Sequence, residues 1–145
     1  MLHLNPQLKT QFPNLAADNH QITSNIDVNY NCIAWAMDEN DVWWWPDHMN
    51  IAYWPDEVPR EETIKAFTQA FLLKGYTQCN DSVLEQGFEK IALYALNQKP
   101  THASRQLANG HWSSKLGQFH DISHNIDALD DPEYGNVILY FKRQV

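Results

Sequence analysis

With 145 residues, 43% of them hydrophobic, the chain has the size of one domain and enough apolar side chains for a core without disulfides or metals. Its 18 acidic and 10 basic residues leave a formal charge of -8, which repels phosphate backbones and anionic bilayers, so neither nucleic acid nor membrane is expected as a partner. No run approaches the roughly 18 apolar residues of a spanning helix, and MLHLNPQLKT lacks a signal-peptide pattern; a cytoplasmic location is expected unless a dedicated secretion system exports the chain.

Residues 1–29 are polar and broken by Pro6 and Pro13, which predicts an extended arm with few backbone bonds. At Tyr30 the composition changes: Ile33, Ala34, Trp35, Ala36 and Met37 follow Asn29 and Asn31, and a buried helix is expected from about Cys32 to Asp38. From Asp41 to Pro59, Trp43, Trp44, Trp45, Tyr53 and Trp54 alternate with Pro46, Pro55 and Pro59. This composition forbids a long regular element and predicts an irregular aromatic segment, either a wall of a substrate cleft or a cap on an open end of the core.

Pro59, Glu61 and Glu62 then open the clearest helix, with Ile64, Phe67, Phe71 and Leu72 on one stripe and Lys74-Gly75 at its end. Tyr76 to Cys79 and Phe88 to Leu96 read as strands. Thr101–Leu107 and His111–Leu116 flank Asn109-Gly110, the signature of a tight hairpin. With those two residues central, Leu107 faces Trp112, Arg105 faces Ser114, and His102 falls near Gly117. Asp121 to Leu129 is expected as a short helix capped by Asp121 or Ser123, and Asn136 to Phe141 as a last strand.

Two cysteines are too few for a disulfide scaffold. They lack paired spacing and the seven histidines lack a His-Glu-x-x-His pattern, although His120 and His124 would lie one turn apart on a helix; no metal or other cofactor is expected. Cys32 in the first turn of a helix would gain thiolate character from the unpaired N–H groups there, and those groups, with Asn31 or Asn29, would hold an oxyanion. The alternative is a cysteine that fills the core beside Ile33 and Trp35. As base, His102 on a late strand is the best-placed imidazole. Asp121 is the first choice to orient it, with an N-cap role as the competing reading. Arg105 and Lys115 form either a small anion-binding pair or a cross-strand ion pair, and Trp35 and Trp45 would line the substrate side.

The stretch Tyr30-Asn31-Cys32-Ile33-Ala34-Trp35-Ala36 resembles the nucleophile helix of the NlpC/P60 and CHAP branches of the papain-like cysteine hydrolases. Lys90-Ile91-Ala92-Leu93-Tyr94 and Thr101-His102-Ala103-Ser104 are similar to the first two sheet strands of those proteins. The resemblance implies a single α+β papain-like domain over 1–145. Its helical part, with the Trp-rich loop, would span 30–75 and pack on an antiparallel sheet over 76–145. It also implies hydrolysis, deamidation or acyl transfer at an amide or ester bond, with Cys32 as nucleophile, His102 as base and a peptide or protein amide as substrate. One departure stands out: the family's histidine begins the first strand, where this chain has Lys90. That departure favours the alternative of an inactive binding or inhibitory module using the Trp-rich segment as an interface. The pattern NYNCIAWA, WWWP, THASRQL, SSKLG also resembles uncharacterised bacterial domains.

Overall fold

Alternation of side chains governs the chain from Phe88 onward. In the computed structural model, which describes residues 12–13, 19–116, 120–129 and 134–145, it produces a sheet covered on both faces. The elements are β1 (His20–Ile22), α1 (Cys32–Ala36), α2 (Ile64–Leu73), β2 (Thr77–Cys79), β3 (Phe88–Leu96), β4 (Lys99–Gln106), β5 (Trp112–Lys115), β6 (Asp121–His124) and β7 (Asn136–Gln144). The seven strands run β1-β6-β5-β4-β3-β7-β2, every neighbouring pair antiparallel.

Ile91, Leu93, Ala103 and Phe141 face one side, where α1, α2 and the Trp segment pack on them; Ala92, Tyr94, Trp112 and Ile122 face the other, joined by Phe12 and Leu129. Because successive residues of a strand point to opposite faces, each central strand contributes to both cores. α2 forms in the expected stretch but starts later, leaving Glu61 and Glu62 outside it: Thr63 caps it by accepting from Ala66 N–H at 3.1 Å, and it ends before Gly75, whose φ of +90° a side chain would resist. Phe67 and Phe71 are fully buried, each stabilising the fold by about 2 kcal/mol.

The expectation of an α+β papain-like domain with N-terminal helices is overturned: the structure is mostly antiparallel sheet, with one helix of five residues and one of ten among the described residues. The physical reason lies in residues 30–75, where α1 stops at Ala36 and the proline-rich Trp segment stays irregular, its one bridge joining Trp44 to Tyr53. Arg60 secures that segment by donating to the carbonyls of Asp47 (2.8 Å) and Ala52 (3.1 Å). Two local expectations also fail. Part of the N-terminal arm is a strand, with His20, Gln21 and Ile22 paired to His124, Ser123 and Ile122. The segment opened by Asp121 is β6, not a helix, since Asp121 and Ile122 are buried on opposite faces.

The β4–β5 hairpin is present with a different register. Leu107 N–H donates to the His111 carbonyl at 2.7 Å, so the loop is Ala108-Asn109-Gly110, three residues closed by Gly110 at φ +89°. Arg105 therefore pairs with Ser113 and Gln106 with Trp112. A slip of one residue exchanges the faces of a whole strand. Here it places Lys115 on the face of Ala103 and Ser114 on the face of His102; the expected Gly117 partner of His102 lies outside the described residues. No helix among the described residues is long and apolar enough to cross a membrane.

Candidate functional site

Asn31 is the N-cap of α1. Its side-chain oxygen accepts from the N–H groups of Ala34 (3.3 Å) and Trp44 (3.1 Å), and its amide donates to the Trp44 carbonyl at 2.8 Å. That pins the helix start to the Trp segment and uses up the side chain expected to hold an oxyanion. Cys32 follows as the first helical residue, buried at 6% exposure. Burial pushes its thiol up to about 11, against the backbone N–H groups of Ala103, Ile33 and Cys32 itself and the Lys115 ammonium, all of which favour the anion.

Lys115 is wholly buried on the same face. It donates to the Asp27 carbonyl and lies 4.9 Å from the centre of the Tyr30 ring, a cation–π contact in a desolvated setting. Burial lowers its pKa, while Asp121, Asp27 and Cys32 work to keep it charged. Asp121 stands directly opposite Lys115 in the β5–β6 ladder and is itself buried. Its Oδ2 accepts from the Tyr30 hydroxyl at 2.6 Å, and its backbone N–H donates to Ser24 Oγ at 2.9 Å. Burial raises the carboxyl pKa, opposed by the Tyr30 hydrogen bond and by Lys115. Cys32, Lys115, Asp121 and Tyr30 thus form a polar group inside the helix-side core.

The pair of Cys32 with His102 is not what the fold builds. Ala103 faces α1, so the preceding residue points through the sheet to the other side. There His102, also fully buried, engages Ser114 Oγ through Nε2 at 2.9 Å, and its Nδ1 has no hydrogen-bond partner among the described residues. Its ring stacks on Tyr134 at 4.0 Å with an interplanar angle of 8°. Ser114 Oγ continues to His124 Nε2 (2.7 Å), whose Nδ1 donates to the Asn125 carbonyl (2.7 Å), and Ser104 Oγ joins the same hydroxyl at 2.6 Å. Burial holds His102 well below the usual histidine range and His124 at about 4, so this chain of hydrogen bonds is electrically neutral.

Among the remaining candidates, Trp35 is half-buried above Ser113, to which its indole N–H donates at 2.9 Å, with the Arg105 guanidinium 4.2 Å over its ring. Arg105 is held by Asp38 at 2.6 Å, an ordinary partly exposed ion pair rather than half of an anion site with Lys115. Asn29 is exposed, and Trp45 packs edge-on to Phe67 at 5.2 Å in the α2 core. Lys90, which occupies the position of the family histidine, is a buried cation tied to Asp81 (2.9 Å) and Glu85 (3.6 Å). His120 bonds the Ser24 carbonyl through Nδ1 at 3.2 Å and His124 is committed to Ser114, so the two do not converge; no cluster among the described residues is suited to a metal.

Sequence reasoning missed Tyr30, the residue that touches both charges of the group. The available signal was a tyrosine two positions before the cysteine at the edge of a polar arm. No curated protein and no solved structure matches the chain. A family model does match residues 21–142, and the chain therefore belongs to the family described as Domain of unknown function (DUF7689).

Proposed function

We propose that the protein is a cysteine-dependent enzyme of acyl transfer, a hydrolase, deamidase or transferase acting on an amide or ester bond, with Cys32 as nucleophile. The observation that carries this reading is the company of the sulfur. Backbone N–H groups from two elements and a buried ammonium act on it together, whereas a cysteine that only fills space has no use for a lysine kept in the core. The partners on its own face are Lys115 and Asp121; Lys115 joins the backbone N–H groups in the oxyanion role first shared with Asn31 or Asn29, and Asp121 takes the base role first assigned to His102. Lys115 stabilises the oxyanion, and Asp121, held by Tyr30, accepts the proton.

In the first step the sulfur adds to the carbonyl carbon, an S–C bond forms, the C–N or C–O bond breaks, and the thiol proton leaves with the amine or alcohol. Water then cleaves the thioester, restoring the thiol and releasing the acid. Since burial keeps the resting sulfur protonated, attack depends on that transfer and not on a standing thiolate.

Incubation with p-nitrophenyl acetate tests the reading. It predicts release of about one nitrophenolate per chain, an acetyl group on Cys32 by peptide mass spectrometry, loss of both in Cys32→Ala and their retention in Cys79→Ser. Acetyl groups confined to Cys79 and surface lysines would contradict it. They would favour the binding-module reading, which rests on Met49, Ile51 and Tyr53, exposed at 71%, 82% and 48% on the tip of the Trp segment.

A further inference from the structure

A cavity of about 260 Å³ lies on the helix side of the sheet, at the end of α1 away from Cys32. Tyr76 lines it and is 1% exposed, yet its hydroxyl has no hydrogen-bond partner among the described residues. The ring is fixed by Phe71 on one hand and by the Arg143 guanidinium 4.3 Å over it on the other. Burial, then the Glu89 carboxylate, pushes the phenol above its ordinary range, so the group stays a donor. Buried hydroxyls find partners, and one that lacks a protein partner while lining a cavity points to a ligand.

Arg105 lines the same cavity, its guanidinium carbon 4.2 Å from the centre of the Trp35 ring. Its ion pair with Asp38 engages Nη1 alone; Nη2 is neither bonded among the described residues nor closed off from solvent as Nε is. Arg105 and Tyr76 act on each other electrostatically, so two donors without acceptors serve one region. Arg105 stands opposite Ile91 in the β3–β4 ladder, and Glu89, two residues from Ile91, shares that face as a diagonal neighbour about 7–8 Å away. Glu89 takes Arg143 on Oε1 only, leaving Oε2 without a donor among the described residues. The other cation of the lining, Lys90, gives its ammonium to Asp81 and Glu85.

We infer that this cavity is a binding site for a small amino acid in its zwitterionic form, the carboxylate on Arg105 Nη2 and the Tyr76 hydroxyl, the ammonium on Glu89 Oε2. A lone carboxylate would meet Glu89 and Asp38 as well as Arg105, and a lone ammonium would meet Arg105; a ligand carrying both charges satisfies each end. The volume is below the roughly 300–1,000 Å³ of sites for drug-sized ligands, and Ala36 and Leu107 leave an apolar wall for a short side chain. This site is independent of the reading of Cys32 as nucleophile.

Titration of the isotope-labelled full chain with L-alanine, propionate and ethylamine, followed by backbone amide NMR shifts, tests it: the three probes carry both charges, the carboxylate alone and the ammonium alone. The expected result is saturable shifts with alanine centred on Ala36, Asp38 and Leu107, and binding about tenfold weaker for each of the other two. Tyr76→Phe should weaken alanine about tenfold, the loss of one hydrogen bond to a charged group. Propionate or ethylamine binding as tightly as alanine, shifts absent or centred elsewhere, or full affinity in Tyr76→Phe would overturn the assignment. If Tyr76→Phe does not fold, the three native titrations decide alone.

Discussion

The two faces of the sheet bury polar groups by opposite means, although the same strands serve both. On the helix side Lys115 and Asp121 keep charges in the core, with a tyrosine holding each and a cysteine beside them. On the other side His102, Ser104, Ser114 and His124 are joined by hydrogen bonds of 2.6–2.9 Å and kept neutral by burial. The contrast separates a group that keeps its charges in the core from one that burial holds neutral. β5 sends Lys115 one way and Ser114 the other, so the residue that shares a face with the sulfur is the lysine.

Acid breaks the comparison most severely. Burial holds His124 at about 4 and His102 well below the ordinary range, whereas in the unfolded chain such rings titrate near 6.5. Between those values the unfolded state binds more protons. The stabilisation is therefore complete above about pH 6.5 and is lost as the pH falls toward 4, at about 3 kcal/mol for His124 alone. Asp121, with its raised carboxyl pKa, works in the opposite sense, and the carboxylates Asp47, Asp81 and Glu85, held below their usual range by hydrogen bonds and nearby cations, add to the loss as the pH falls further. Urea unfolding at neutral pH and near pH 4 should show the loss, and His124→Gln should flatten it; an equally steep fall in that variant would contradict the assignment.

A smaller effect sharpens the comparison. Ser114→Ala removes the hydroxyl that both imidazoles share and should cost about 2 kcal/mol in unfolding free energy, because it strands ring nitrogens in the core. Cys32 labelling in the folded protein should not change, as no part of that network reaches the helix side. A matching fall in labelling would show the two faces to be one site.

Much of this was legible before any coordinates. Phe88–Leu96 has its expected strand bounds, α2 buries Phe67 and Phe71 of its expected stripe but leaves Leu72 exposed, its Gly75 stop is kept, and the helix start at Cys32 follows from the polar-to-apolar change at Tyr30. Of the polar group, Cys32, Lys115 and Asp121 were named from the sequence without their arrangement, and Tyr30 was missed. Asn-Gly suggested a two-residue turn, yet the loop took a third residue, and that one position decided which face of the sheet Lys115 takes. Asp121-Ile122-Ser123-His124 carries too short a pattern to separate a strand from a helix; only pairing with β1 and β5 settles it. The fold class failed for a related reason. An apolar run after a cysteine specifies a buried helix start but not its length, and local sequence cannot say that five residues suffice.

The rate of Cys32 alkylation by iodoacetamide across the alkaline range, compared among the native chain, Lys115→Met and His102→Gln, tests the central claim most directly. Removing the ammonium that favours the anion should raise the thiol further and slow labelling at a fixed pH at which Lys115 is charged, while His102→Gln should track the native profile. Slowed labelling in His102→Gln with Lys115→Met unaffected would return the imidazole to the sulfur and contradict the account.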